Sequence, residues 1–292
     1  MTPTPFSAPQ FRAARKFVDT DFGRIAYFEA GSGPAALFVH GALLNGYQWR
    51  HQLAGLSDLR RIIAPDSLGM GHTEVRPGQP LGMKNQAAML KALLDALGID
   101  RVDLVGNDSG GGAAQILAAN HPARIRTLAL TNCEVDDYDE ESPAGVKFRE
   151  SVESGRVVRM LEAAARNPAV GRKALGSAYE HGRDLPDEAV LTYVQPLVQS
   201  PARIAQLLEY FRATTKADLI ELRPLLAVLP APTLVLWGTA DDFFPVKWAH
   251  WLKAHLPNVT EVVELAGAPV FWPEERPAFL NEKLRAHWTR FG

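Results

Sequence analysis

Apolar and polar positions along the chain follow two periods, and the alternation between them predicts the order of elements. Arg24–Ala30 alternates polar with apolar residues, as a half-buried strand does. Gly31-Ser32-Gly33-Pro34 marks a turn. Ala35–His40 is apolar up to its final histidine, the pattern of a parallel strand covered on both faces. Arg61–Pro65 reads as another short strand, followed by the glycine-rich loop Asp66–Gly71. From Lys84 to Leu97 the period lengthens: Leu90, Leu93, Leu94 and Leu97 share one helical face, and Gly98 stops the helix. Val102–Val105 is a mostly apolar strand and Gly112–Asn120 an alanine-rich helix, closed by His121-Pro122. Ile125–Thr131 is the next strand.

From Glu134 to Pro224 strand-like alternation disappears, and alanine, arginine, glutamate and leucine dominate. Short helices are predicted there, among them Val157–Arg166 and Arg203–Phe211. Strand texture returns at Pro232–Gly238, followed by a helix at Val246–His255, a strand at Thr260–Leu265 and a last helix at Ala278–Trp288. The predicted division is a core over 1–133, a helical insertion over 134–224 and the rest of the core over 225–292. Strand–helix alternation implies an α/β fold with a mainly parallel sheet and helices on both faces. In such sheets the ligand crevice lies beyond the carboxyl ends of the strands.

Composition narrows the function. The 292 residues suffice for one large α/β domain with an insertion. A net charge of −2 without long charge runs points away from nucleic acid and from an anionic membrane as partners. Cys133 is the single cysteine, so neither an intrachain disulfide nor a metal site of paired cysteines is possible. Met1–Gln10 lacks the basic start and apolar centre of a signal peptide, and no apolar run reaches the length of a membrane span. A cytoplasmic protein acting on a small molecule, as monomer or homodimer, is expected.

The chemistry gathers at Val105-Gly106-Asn107-Asp108-Ser109-Gly110-Gly111. Gly106 and Gly110 stand two residues either side of Asp108. This is the spacing of a nucleophile elbow, a strained strand-to-helix turn that lifts one side chain clear of the sheet. An elbow centred on Ser109 would put Asn107 where a small residue belongs. The segment lacks the spacing of a dinucleotide loop or a P-loop.

Two further motifs follow other strands: His40-Gly41-Ala42-Leu43, and Trp237–Pro245, which contains Gly238, Asp241 and Pro245. Together with the elbow they make the chain resemble the α/β-hydrolase superfamily over nearly its whole length. An aspartate at the elbow makes it similar to the haloalkane dehalogenase and epoxide hydrolase branch, with 134–224 as an inserted helical cap. The resemblance implies that Asp108 is the nucleophile, or a general acid or base, and that the backbone N–H groups of Ala42 and Ser109 form the oxyanion hole. It implies that Asp241 is the acid partner, with Asp242 the neighbouring alternative. Some relatives carry that acid after the preceding strand, where this chain has Asn132 with Glu134 nearby. No cofactor or metal is expected.

The resemblance also exposes a gap. The family's histidine precedes a Pro-Glu pair by three residues, and in Ala266–Glu275 that position holds Val270. No histidine lies between His255 and His287. His72 and His250 are the candidate substitutes, although His250 stands more than a turn into its helix. His40, Leu43, Trp237, Phe243, Phe244, Phe271 and Trp272 are candidates for the pocket lining, with His40 expected to structure the oxyanion turn. Three readings follow: hydrolysis through an Asp108 ester with a substitute base; a non-hydrolytic lyase, isomerase or cyclase reaction; or a silent ligand-binding or receptor protein.

Overall fold

Strands in this chain are β1 (Lys16–Thr20), β2 (Gly23–Ala30), β3 (Ala35–Val39), β4 (Arg61–Pro65), β5 (Glu74–Val75), β6 (Val102–Asp108), β7 (Ile125–Cys133), β8 (Thr233–Gly238) and β9 (Val259–Leu265). They come from a computed structural model that describes residues 4–136, 142–215 and 217–292. The first three residues of the N-terminal stretch and part of the range 134–224 therefore lie outside the described residues. The sheet order is β1-β2-β4-β3-β6-β7-β8-β9, with β5 paired to β2. The pairs β1–β2, β2–β4 and β2–β5 are antiparallel, and the others are parallel. The continuous apolar runs β3 and β8 are buried at every residue, as strands with both faces covered must be.

Two of the elements that the pattern did not give lie near the N-terminus. Lys16–Thr20 is the edge strand β1, half exposed, so its alternation is weak. Ala8–Ala13 is a short helix whose Ser7 and Gln10 form a capping box, and it buries Phe11 against Phe28 and Tyr47. The elbow strand also runs on to Asp108, and its helix begins at Ser109 rather than Gly112.

Between β7 and β8 the chain is helical. The helices are Pro143–Glu153, Arg156–Arg166, Pro168–Leu175, Asp187–Val198 and Pro201–Ala213, with short turns at Ala217–Ile220 and Arg223–Leu226. Three of them open on a capping side chain followed by proline: Ser142, Asn167 and Ser200 each accept a hydrogen bond from the first turn. In Arg156–Arg166 the buried residues Val157, Leu161 and Ala164 form one stripe. No helix among the described residues is long and apolar enough to cross a membrane.

Candidate active site

β6 delivers Asp108 to the start of the helix Ser109–Asn120 with φ 55° and ψ −135°. The turn is tight enough to exclude side chains on both flanks. A Cβ on Gly106 would lie 2.7 Å from the carbonyl oxygen of Gly110, and one on Gly110 would lie 2.4 Å from that of Val39. Asp108 Oδ1 accepts hydrogen bonds from the Ala42 N–H at 2.8 Å and the Ser109 N–H at 2.5 Å. The two donors predicted for the oxyanion hole thus converge on one oxygen of the predicted nucleophile. Burial raises the Asp108 pKa, and these hydrogen bonds oppose it.

The turn after β3 is held by its histidine. His40 Nδ1 donates to the Gly41 carbonyl at 2.8 Å, and Nε2 accepts from the Ser67 N–H at 2.9 Å, an arrangement that requires the neutral ring. Burial pushes the His40 pKa down to about 4. Next along, Leu43 takes a positive φ of 65°. The Gly41 N–H donates to Gln48 Oε1, Gln48 Nε2 donates to Asn107 Oδ1, and Asn107 Nδ2 donates to the Val270 carbonyl at 2.9 Å. One chain of hydrogen bonds therefore ties the oxyanion turn, the elbow and the Val270 loop.

Asp241, after β8, is held by its backbone and by Asn132. Its Oδ1 accepts from the N–H groups of Phe243 and Phe244 at 2.8 and 3.2 Å, and Oδ2 accepts from Asn132 Nδ2 at 2.8 Å. Asn132 in turn accepts from the Gly238 N–H and from Trp272 Nε1. Burial pushes the Asp241 pKa up to about 7, with the charge of Asp108 adding to it. Asp242 is exposed.

Asp108 lines a cavity of about 710 Å³ between these loops and the helices that follow β7. Ala42, Leu43, Ser109, Phe243, Phe244, Val270 and Phe271 line its floor, and Phe148, Met160 and Tyr210 contribute from the helices. Val270 is 1% exposed and apolar. The Tyr210 hydroxyl shares a side-chain hydrogen bond with Ser109, and burial raises its pKa.

Five expectations need correction. His40, Trp237 and Trp272 do not line this cavity. All three are buried behind it, with Trp237 Nε1 donating to the Phe244 carbonyl and Trp272 Nε1 to Asn132. His72 lines a separate depression beside Arg203, where burial pushes its pKa down to about 4. His250 is exposed on the helix Lys247–His255, and its Nε2 lies 2.9 Å from Glu264 Oε1. Neither histidine lines the cavity that holds Asp108.

Glu134 shares the cavity with Asp108 instead. It lines the cavity one residue beyond β7, and burial pushes its pKa up to about 8, with Asp108 and then Asp241 contributing. Gln48, Asn107 and Tyr210 were not singled out in the sequence as site residues, and Glu134 was noted only beside the position where some relatives carry the acid. The one available signal was the position of Glu134 just after a strand that ends at the crevice. Among the described residues no group of three or more His, Cys, Asp or Glu side chains is placed to hold a metal ion.

Comparison with known proteins gives the family and the fold. The sequence model of the alpha/beta hydrolase fold matches residues 34–274. The chain is 30% identical over 275 residues to haloalkane dehalogenase 2 of Mycobacterium tuberculosis, a match that covers 90% of each protein. It is 26% identical over 294 residues to epoxide hydrolase 4 of Mus musculus, covering 90% of this chain and 77% of the relative. Among solved structures, the epoxide hydrolase CorEH superposes with a TM-score of 0.80 at 20% identity, over 95% of this chain and 99% of that one.

Proposed function

The chain belongs to the α/β-hydrolase fold family, in the branch of the haloalkane dehalogenases and epoxide hydrolases, and from that premise we propose that it is an enzyme whose Asp108 attacks an electrophilic carbon of a small or medium apolar molecule. The observation that carries this reading is the pair of backbone N–H groups on Asp108 Oδ1. With Oδ1 held, Oδ2 is the nucleophile, and attack at carbon gives an ester of Asp108. When water adds to that ester, the negative charge develops on Oδ1, already between its two donors, so little reorganisation is needed. The apolar cavity selects an apolar substrate. The helices over 134–224 act as a cap that shields the ester from bulk water.

Val270 leaves this chain without the histidine that activates water, help worth about 10²–10⁴-fold in rate. Asp241 has no histidine to orient and serves to fix the loop at Phe243-Phe244 beside the cavity.

The test is intact-mass spectrometry after exposure to styrene oxide, 1-bromohexane and p-nitrophenyl butyrate. The parent protein is expected to gain the mass of an alkyl or acyl group on Asp108, transiently or stably, and Asp108→Asn to gain none. Equal modification of both proteins would contradict the reading. A second reading is favoured by the upward displacement of three neighbouring carboxyls, Asp108, Glu134 and Asp241. It is non-hydrolytic proton transfer, and turnover that Asp108→Asn abolishes without any adduct in the parent would select it.

A further inference from the structure

Glu134 is a cavity carboxyl with no role in the scheme above. Its Oε2 is buried and has no hydrogen-bond partner among the described residues. Gly112 stands opposite without a side chain, and a Cβ there would lie 3.4 Å from Oε2. Among the described residues, the titratable groups whose charge couples to Glu134 are Asp108 at the elbow, Asp241 after β8, Cys133 on β7 and Tyr210 on the helix Pro201–Ala213, and Arg149, Glu153 and Arg212 line the same cavity. Burial first, and then the charge of Asp108, favours the protonated Glu134 carboxyl.

We propose that Glu134 carries the proton for this reaction in place of the missing histidine, giving it to the oxygen released by Asp108 attack and taking one from the water that cleaves the ester. The inference rests on Asp108 being the nucleophile.

An epoxide makes full use of the pair. Asp108 Oδ2 forms a bond to a ring carbon, the ring C–O bond breaks, and its electron pair takes the Glu134 proton to become a hydroxyl. Asp108 is now a neutral ester, so its charge no longer opposes that of Glu134, and Glu134, having given up its proton, is a carboxylate when a base is needed. It removes a proton from water as the water oxygen bonds to Asp108 Cγ, and the negative charge collects on Oδ1. Collapse breaks the acyl C–O bond, and the proton on the newly added oxygen passes to the departing alkoxide. Asp108 ends charged, Glu134 ends protonated, and the sum is epoxide plus water to diol. A haloalkane uses the pair poorly. Halide leaves without a proton, so Glu134 must first lose its proton to solvent before it can activate water. The structure therefore favours an epoxide, and an ester formed from a haloalkane should persist longer at pH 6 than at pH 9.

Two measurements test the assignment. With styrene oxide, Glu134→Gln should lower diol formation at least about 100-fold, and Glu134→Asp should recover part of the diol rate. With 1-bromohexane, whose leaving group takes no proton, Glu134→Gln should accumulate one adduct per chain on Asp108. Diol formation by Glu134→Gln at the parent rate would overturn the inference while leaving the Asp108 nucleophile intact. Normal turnover by Asp108→Asn would instead overturn the nucleophile. The second measurement needs no substrate. An infrared pH titration of the parent should show a protonated carboxyl band at pH 7 that is absent from Glu134→Gln. In Asp108→Asn that band should titrate at lower pH than in the parent. A missing band, or a midpoint indifferent to Asp108, would overturn the inference.

Discussion

Asp108 adopts a backbone conformation that costs a non-glycine residue on the order of 1–3 kcal/mol. Its own carboxylate offsets part of that cost by accepting two backbone N–H groups. The elbow was legible because the constraint is local: small residues must stand at fixed distances from the strained one. Asn107 is the opposite case. In the sequence it serves only to argue against an elbow at Ser109, whereas in the fold it joins Gln48 to the Val270 carbonyl. Such a role needs three loops to meet, and no spacing along the chain reports that. The burial of Glu134 was illegible for the same reason, because it depends on helices far along the chain. That burial has a measurable consequence. Its pKa is about 8 in the folded protein against 4.5 as a reference, so its contribution to stability is complete below 4.5 and is lost as pH rises through 8. In that window the unfolded chain releases a proton that the folded chain keeps, and the unfolding constant rises by up to about tenfold per pH unit. Asp241 acts in the same direction through about 7. His40 acts oppositely, its contribution being lost as pH falls from 6.5 through about 4. Between pH 5 and 8 the urea midpoint of Glu134→Gln should fall less than that of the parent. Equal falls would contradict the buried, proton-holding carboxyl.

The loop from β9 to the helix Pro277–Phe291 shows what element-level reading can and cannot deliver. Its register was legible from Pro273-Glu274, and this located Val270 as the residue in the histidine position. The Val270 loop does approach the elbow: Asn107 holds the Val270 carbonyl, and the Phe271 N–H donates to the Ala178 carbonyl at 2.9 Å. What the pair itself does was not legible. Glu274 is 4% exposed and accepts from Arg50 at 2.5 Å and from the Tyr179 hydroxyl at 2.8 Å. It thus ties this loop to the helix Arg50–Gly55 and to the segment between β7 and β8. Removing one partner of a buried ion pair strands the other. Glu274→Ala should therefore cost about 3–5 kcal/mol in urea unfolding. A loss below about 1 kcal/mol would show that Arg50 finds water or another acceptor. The strands with both faces covered were readable as unbroken apolar runs, whereas the exposed edge β1 gave no such run.

At the scale of the molecule, the parallel order β3-β6-β7-β8 sets Ala42, Asp108, Glu134 and Asp241 at neighbouring strand ends. The sequence carried this arrangement in the order of its strands and motifs. It did not carry the shape of the cavity, whose walls come from helices remote in sequence, including Pro143–Glu153, Arg156–Arg166 and Pro201–Ala213. On the proposed reading, substrate choice rests on those walls and the reaction type on the strand ends. The covalent role of Asp108 can be checked directly with oxygen isotopes. The fastest-reacting epoxide would be turned over in heavy-oxygen water, first once with enzyme in excess and then repeatedly. The expected result is a first-turnover diol whose new oxygen is unlabelled, because it comes from Asp108, with label appearing in the Asp108 carboxylate. Labelled diol in the first turnover, with Asp108 unlabelled, would mean that water attacks the substrate directly and would contradict the ester.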